Sequence, residues 1–256
     1  MRILGGFYFA LIFIFIFLPV VVLVLFSFQD SRLPIPPFDG PTLKWYIKVV
    51  GDRDLMDALI NSLIVSMASA LVALVLGFLA AHGLARIYLP GSFLMRGLMI
   101  APMTVSYLII ALGLLSVFNN IGIRPSLWTT GIGHVVINLP LCFAIVFAAM
   151  GDHQKNAERA ARDLGASDAK VMLFVTAPML MPSLLAAYFL SVTFSWDEFI
   201  IAFLLTRFEV TLPVEIWSML RSGLSPATNA IGSLVFLVSV ALLIILEVTV
   251  FRKGRF

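Results

Sequence analysis

Three stretches of this 256-residue chain set ionisable or strongly polar side chains inside long apolar runs. Asp197 and Glu198 lie together in TFSWDEFIIAFLLT (193–206), just after Ser195 and Trp196; His134 and Asn138 lie four residues apart before Pro140; Glu247 lies near the end of the last apolar run. Ionised groups in hydrocarbon are costly unless they face protein or water, so each is read first as a candidate site. Two carboxylates at mid-to-outer depth suit a cation, because they replace the water an ammonium group loses. Adjacent helical positions point about 100° apart, so one of the pair is expected to face a path, Asp197 ahead of Glu198, with Trp196 beside them. The alternative is that Asp197 caps a helix and Glu198 pairs with a basic residue of another span or subunit. His134 and Asn138 share a helical face, which either lines a kinked path or bonds across to another helix. Glu247 reads as a snorkelling side chain or a partner of Arg252 or Lys253.

The sequence holds no Gly-x-x-x-x-Gly-Lys-Ser/Thr phosphate loop, so ATP hydrolysis is not expected of this chain. It offers no His-Glu-x-x-His, no Cys-x-x-Cys and no serine-nucleophile signature, and its histidines are His82, His134 and His153. The single cysteine, Cys142, lies in an apolar run and reads as a small buried side chain. Neither a catalytic residue nor a metal or cofactor site is therefore expected.

The elements that must carry these residues follow from composition. Apolar residues make up 61% and charged residues 12%, against roughly a quarter charged in soluble domains; the excess apolar surface must face lipid. Six segments reach the roughly 20 apolar residues a crossing helix needs: about 7–28, 58–81, 93–118, 127–150, 183–205 and 227–250. The first is too long for a signal core and lacks a small-residue cleavage pattern, so it is kept as a span. The net charge of +3 comes from basic residues scattered between spans, which reads as topology rather than nucleic-acid binding. Arg2, Arg86, Arg96, Lys155, Arg159, Arg162, Lys170, Arg252, Lys253 and Arg255 fall on one side, which predicts both termini in the cytoplasm. No linker or repeat divides the chain, so one all-α membrane domain over 1–256 is expected. The external segment 29–57 reads as an extended piece followed by a short amphipathic helix at the interface. Ser69, Ala73, Gly77 and Ala81 recur every four residues and form a packing face, with a partner subunit as one candidate for the other side.

The loop 151–182 reads AERAARDLGASDAKVMLFVTAPMLMP from Ala157. Residues 157–164 form a helix, Gly165 supplies a left-handed terminator, and a second short helix starts at Asp168 and stops before Pro178 and Pro182. Such a helix–glycine–helix elbow either sits in a groove of another protein or is an ordinary solvated helix pair. The spacing of Ala160, Ala161, Gly165, Val175 and Pro178 resembles the EAA loop of ABC-importer permeases. One position departs from it: the family's leading acid would fall at Arg159, whereas the acid here is Glu158. Asn61-Ser62-Leu63, Asn138-Leu139-Pro140, the stretch 193–206 and LPVEIWSMLRSGLSPATNAIGSL (212–234) extend the resemblance, toward the C-type subunit of the spermidine/putrescine branch.

That resemblance implies a type I importer permease fold with six spans and a cytoplasmic coupling helix made of Glu158, Arg159, Ala160, Ala161, Arg162, Asp163, Gly165 and Pro178. It implies a second, homologous permease, two ATPase subunits that carry ATP and Mg²⁺, a periplasmic binding protein and a place in the inner membrane. The cargo it implies is a polyamine; opines, aminobutyrate-like compounds and phosphonates are alternatives within the branch. A transporter working alone fits less well, since six spans are few and no inverted repeat shows.

Overall fold

The computed structural model describes residues 2–88 and 90–250, and among them the chain is helical, without strands. Arg252, Lys253 and Arg255, expected to mark the cytoplasmic side and to offer Glu247 a partner, lie outside the described residues. Contacts divide the chain into two units, residues 1–59 with 212–241 and residues 60–211 with 242–256.

The first unit begins with α1 (Arg2–Ser27), whose described apolar side chains are almost all exposed, as a lipid-facing helix requires. The segment after it is tied down by Gln29, which is buried. Its side-chain amide donates to the carbonyls of Ile35 and Pro37 and to Ser31 Oγ, while its backbone carbonyl accepts from Trp45 Nε1 at 2.7 Å. The expected short helix follows as α2 (Lys44–Gly51), with Lys44 and Lys48 over the Trp45 ring. The helix α12 (Leu212–Ser222) and the start of α13 (Pro226–Val250) complete the unit. Burial, together with the Asp54 and Asp52 carboxylates, pushes Glu215 of α12 above the usual carboxylate range.

The second unit contains most of α3 (Arg53–Arg86), α4 (Ser92–Ile100), α5 (Tyr107–Asn120), α6 (Leu127–Ala149), α7 (Asp152–Asp163), α8 (Asp168–Val171), a π-helical turn (Met172–Thr176), α9 (Ala177–Met179), α10 (Met181–Trp196) and α11 (Ile200–Leu205). Its core runs along α3, α6 and α10 through Phe78, Cys142, Phe143, Val146, Leu180 and Ala187. The small-residue stripe of α3 packs inside this unit. A Cβ on Gly77 would stand 2.8 Å from Cys142 Cβ and 2.9 Å from the Phe143 nitrogen, so α3 and α6 meet backbone to backbone.

Among the described residues four helices are long and apolar enough to cross a membrane, and up to six crossings result if each of two bent pairs, Ser92–Thr104 with Tyr107–Asn120 and Asp168–Met179 with Met181–Trp196, counts as one. Span three, expected as one helix over 93–118, is instead α4 and α5, bent by 102°. Pro102 sits in a 3₁₀ turn (Ala101–Thr104) and has no N–H to continue the ladder, after which Val105 is extended. Span five, expected over 183–205, is α10 and α11 with a break at residues 197–199. Span two is longer than expected: 34 residues reach about 51 Å, well beyond the hydrocarbon thickness of roughly 30 Å. Its extra turn carries Arg86 out to the loop 151–182.

Candidate functional site

Two constructions in the second unit hold the candidate residues. The first is the elbow. Its first helix, α7, starts five residues earlier than expected, where Gln154 Oε1 accepts from the Gly151 N–H at 3.1 Å. The turn is a Schellman motif: Ala166 N–H reaches the Ala161 carbonyl at 3.0 Å and Gly165 N–H the Arg162 carbonyl at 2.8 Å. Gly165 has φ +86°, and a Cβ there would touch nothing within 4 Å, so glycine is required by the backbone and not by crowding. The second helix does begin at Asp168 but runs through Pro178 rather than stopping before it. The π turn over Met172–Thr176 spreads the carbonyls that the proline ring would otherwise strike. The helix ends at Leu180, and Pro182 falls in the first turn of α10, where its missing N–H has no partner to lose.

One side chain fastens the elbow to the bundle. Glu158 is fully buried; its carboxylate accepts from Arg86 Nε at 2.6 Å and from Thr176 Oγ1 at 2.9 Å, tying α7 to the end of α3 and to the π turn. The departure at Arg159 thereby gains a structural account: the acid one position earlier faces inward, and Arg159 faces outward. Arg162 bridges to Asp168 at 2.7 Å across the glycine turn. Ala160, Asp163, Leu164 and Gly165 are exposed with Arg159, and so are Leu173, Phe174 and Pro178. Composition assigned Arg86 only to topology and did not single out Thr176. A signal was nevertheless present, since an acid on the inward face of an amphipathic helix demands a buried cation.

The second construction is the break between α10 and α11. Asp197 ends α10 with φ −98° and ψ 5°; it is exposed and makes no hydrogen bond or ion pair among the described residues. Glu198 turns the other way and is buried. Its carboxylate accepts the N–H groups of Ile200, Ile201 and Ala202 at 2.9, 2.8 and 3.3 Å. The helix cap that was the alternative role for Asp197 is supplied by Glu198, whose carboxylate meets three free amides at the start of α11. His134 Nε2 stands 3.6 Å from Glu198 Oε2, its Nδ1 is hydrogen-bonded to Ser195 Oγ, and Ser195 Oγ lies 3.1 Å from Ser69 Oγ.

Of the expected path residues, Asp197 alone reaches the surface of the chain. Trp196 and Asn138 are buried, with Trp196 Nε1 and Asn138 Nδ2 unpartnered among the described residues. Both lie in the packed interior of the second unit, away from the surface. His134 bonds across to α10, the second of the two uses open to it. Serine, histidine and glutamate line up here as in a nucleophilic triad, but all three are buried and the carboxylate already holds three amides, so no substrate carbonyl reaches the hydroxyl.

The sequence profile of a family described as "Binding-protein-dependent transport system inner membrane component" matches residues 73–253. The permease protein PotC of the spermidine/putrescine transport system of Escherichia coli (strain K12) is 29% identical over 245 residues, covering 95% of this chain and 92% of its own. The permease protein PotI of the putrescine transport system of the same strain is 30% identical over 219 residues, covering 82% and 78%. Among solved structures, a bacterial ABC transporter that imports the acidic polysaccharide alginate superposes with a TM-score of 0.66 at 19% identity, covering 100% of this chain and 97% of that one. A bacterial alginate ABC transporter in complex with its pentasaccharide-bound periplasmic protein gives 0.72 at 14% identity, covering 99% and 95%. At these identities the structural likeness is one of fold.

Proposed function

This chain belongs to the family of binding-protein-dependent transport system inner membrane components, and from that premise we propose that it passes a polyamine such as spermidine or putrescine from a periplasmic binding protein into the cytoplasm. It is a multi-pass permease subunit of an ABC importer and not an enzyme. In the proposed assembly it pairs with a second, homologous permease in the inner membrane, both termini in the cytoplasm. Two separate ATPase subunits bind ATP and Mg²⁺.

The elbow is the proposed coupling element. ATP binding draws two ATPase subunits together, and a projection seated on them moves with them only if its fit differs between their open and closed forms. Leu164 and Phe174 at its exposed surface supply the apolar contacts. The Arg86–Glu158–Thr176 contact passes the displacement to α3, so that the spans turn from inward- to outward-facing and accept cargo.

One observation carries the cargo reading: Asp197 is an exposed carboxylate without a partner at a broken helix, while its neighbour is satisfied internally. Broken spans in transporters line substrate paths, and a passing ammonium group supplies the charge that Asp197 lacks. The relatives with polyamine names support the same cargo. The fold neighbours named for an acidic polysaccharide show that the architecture alone does not select a cation. The alternatives within the branch, opines, aminobutyrate-like compounds and phosphonates, would meet Asp197 only through an amino group where they carry one. The test is to purify the assembly and measure which ligand, with its binding protein, stimulates ATP hydrolysis. Stimulation by spermidine or putrescine is the expected result; stimulation only by an anionic or sugar-like solute refutes the cargo.

A further inference from the structure

Glu198 lies one residue from Asp197, yet it is buried and bonded where Asp197 is exposed and free. We propose that Glu198 and His134 are positioning residues that hold the α10–α11 break in the backbone path that turns the Asp197 carboxylate out of the protein. The proposal rests on the reading of Asp197 as a path residue.

The short helix α11 is bolted to α6 at both ends. At its C-terminus the Leu205 carbonyl accepts from Thr129 Oγ1 at 2.7 Å and from the Ser126 N–H at 2.9 Å. Along its side, Gly133 allows so close an approach that a Cβ there would stand 2.5 Å from Ile201 Cγ2. With α11 unable to slide along α6, the adjustable part is the break at 197–199, and Glu198 sets it.

The carboxylate takes the first three free amides of α11, and His134 stands behind it from α6. A bare ring nitrogen facing a carboxylate repels it, so the favoured tautomer carries its proton on Nε2, toward Glu198. Nδ1 then accepts from the Ser195 hydroxyl, and Ser195 Oγ lies 3.1 Å from Ser69 Oγ of α3. The line Ser69–Ser195–His134–Glu198 thus fixes the last turn of α10 and the first of α11 relative to α3 and α6. With the Glu198 side chain folded back onto α11, the preceding side chain is left on the opposite side of the break.

The experiment places Asp197→Cys in the complete assembly, where the other cysteine of this chain, Cys142, is buried, and measures the rate of labelling by a water-soluble maleimide. The introduced thiol is expected to label readily in the otherwise unaltered chain. Glu198→Gln keeps the shape and one acceptor but loses the charge at the helix terminus, and is expected to slow labelling about tenfold, the equivalent of about 1.4 kcal/mol. His134→Gln, which keeps a donor, slows it less, and Ser69→Ala least. Copurification of the ATPase subunit controls for assembly, and the two milder variants keep the test open if Glu198→Gln does not assemble. Labelling that is indifferent to these substitutions, or faster in them, overturns the positioning role and leaves the path reading standing. An introduced thiol that never labels in the unaltered assembly overturns the path reading, and this proposal with it.

Discussion

Replacing Glu158 by alanine should separate ATP hydrolysis from transport, and the size of the effect follows from burial. Two ion pairs brace the elbow at nearly the same distance: Glu158–Arg86 at 2.6 Å, with side chains 0% and 10% exposed, and Arg162–Asp168 at 2.7 Å, with side chains 37% and 86% exposed. Removing one partner of a buried pair strands the other charge and costs about 3–5 kcal/mol, whereas an exposed pair contributes about 0–1 kcal/mol. Arg86 keeps a weak contact to the Gly151 carbonyl at 3.4 Å, and Thr176 one to the Val171 carbonyl at 3.4 Å, so the lower figure applies. About 3 kcal/mol corresponds to roughly a hundredfold rise in the population of elbows detached from α3. In proteoliposomes containing the full assembly, Glu158→Ala and Arg86→Ala should each lower substrate moved per ATP hydrolysed while basal ATPase activity persists. Asp168→Asn should leave that ratio within about twofold of the parent. Joint replacement of Glu158 and Arg86 by apolar residues should recover part of the loss, since no stranded charge remains. If Glu158→Ala and Asp168→Asn prove equally mild, the reasoning that ties coupling to the buried pair fails.

Four further outcomes are expected. Because Gly165 needs its positive φ and has empty space around it, Gly165→Asn should be mild, and Gly165→Ala and Gly165→Leu should be equally impaired by about 1 kcal/mol. Gly165→Pro should uncouple the assembly, and a graded dependence on side-chain size instead would point to crowding; transport assays on membranes with equal amounts of protein decide. Asp197→Asn should raise the half-saturating concentration for putrescine uptake without lowering basal ATPase activity, with Asp197→Glu milder; uptake indifferent to the neutral side chain rules out its part in the path. Reporter fusions after Phe28, Phe118 and Leu205 should read as external and those after Ala81 and Met150 as cytoplasmic, and an external reading after Met150 would detach the elbow from ATP. Glu215 has a raised pKa, so its ionised form is disfavoured in the folded chain and the stability it supplies is lost as pH rises through the folded value. Glu215→Gln should therefore melt higher than the parent at pH 8, an advantage that vanishes near pH 4; an advantage that persists at pH 4 contradicts the electrostatic cause.

What could be read from the sequence divides by how locally each feature is encoded. Gly165 and Asp168 mark the elbow because a left-handed residue and a helix start leave their signature in the residues themselves. The positions of the apolar runs were legible for the same reason, as lipid acts on side chains one by one. The bend at Ala101–Thr104 was not legible: hydropathy counts Pro102 as one residue in an apolar run, whereas the backbone counts a missing donor. Arg86 and Glu158 are 72 residues apart, and nothing local says which of several basic residues meets the buried acid.

The acidic pair shows the limit most sharply. Asp197 and Glu198 carry the same charge at the same depth, and a 100° helical rotation can say only that they diverge. Which one faces inward depends on the break itself, and in the proposed reading Glu198, one methylene longer than Asp197, sets it. That reach lets its carboxylate bend back over Phe199 onto the amides of Ile200, Ile201 and Ala202, leaving Asp197 at the end of α10. The cap and the exposed acid are therefore one decision of the chain. Exchanging the two residues, Asp197→Glu with Glu198→Asp, conserves composition, charge and hydropathy. The shortened acid at 198 would satisfy fewer of the three amides, so the double exchange should impair uptake more than Asp197→Glu alone. Equal uptake by the single and double variants would mean that side-chain length at 198 does not set the break.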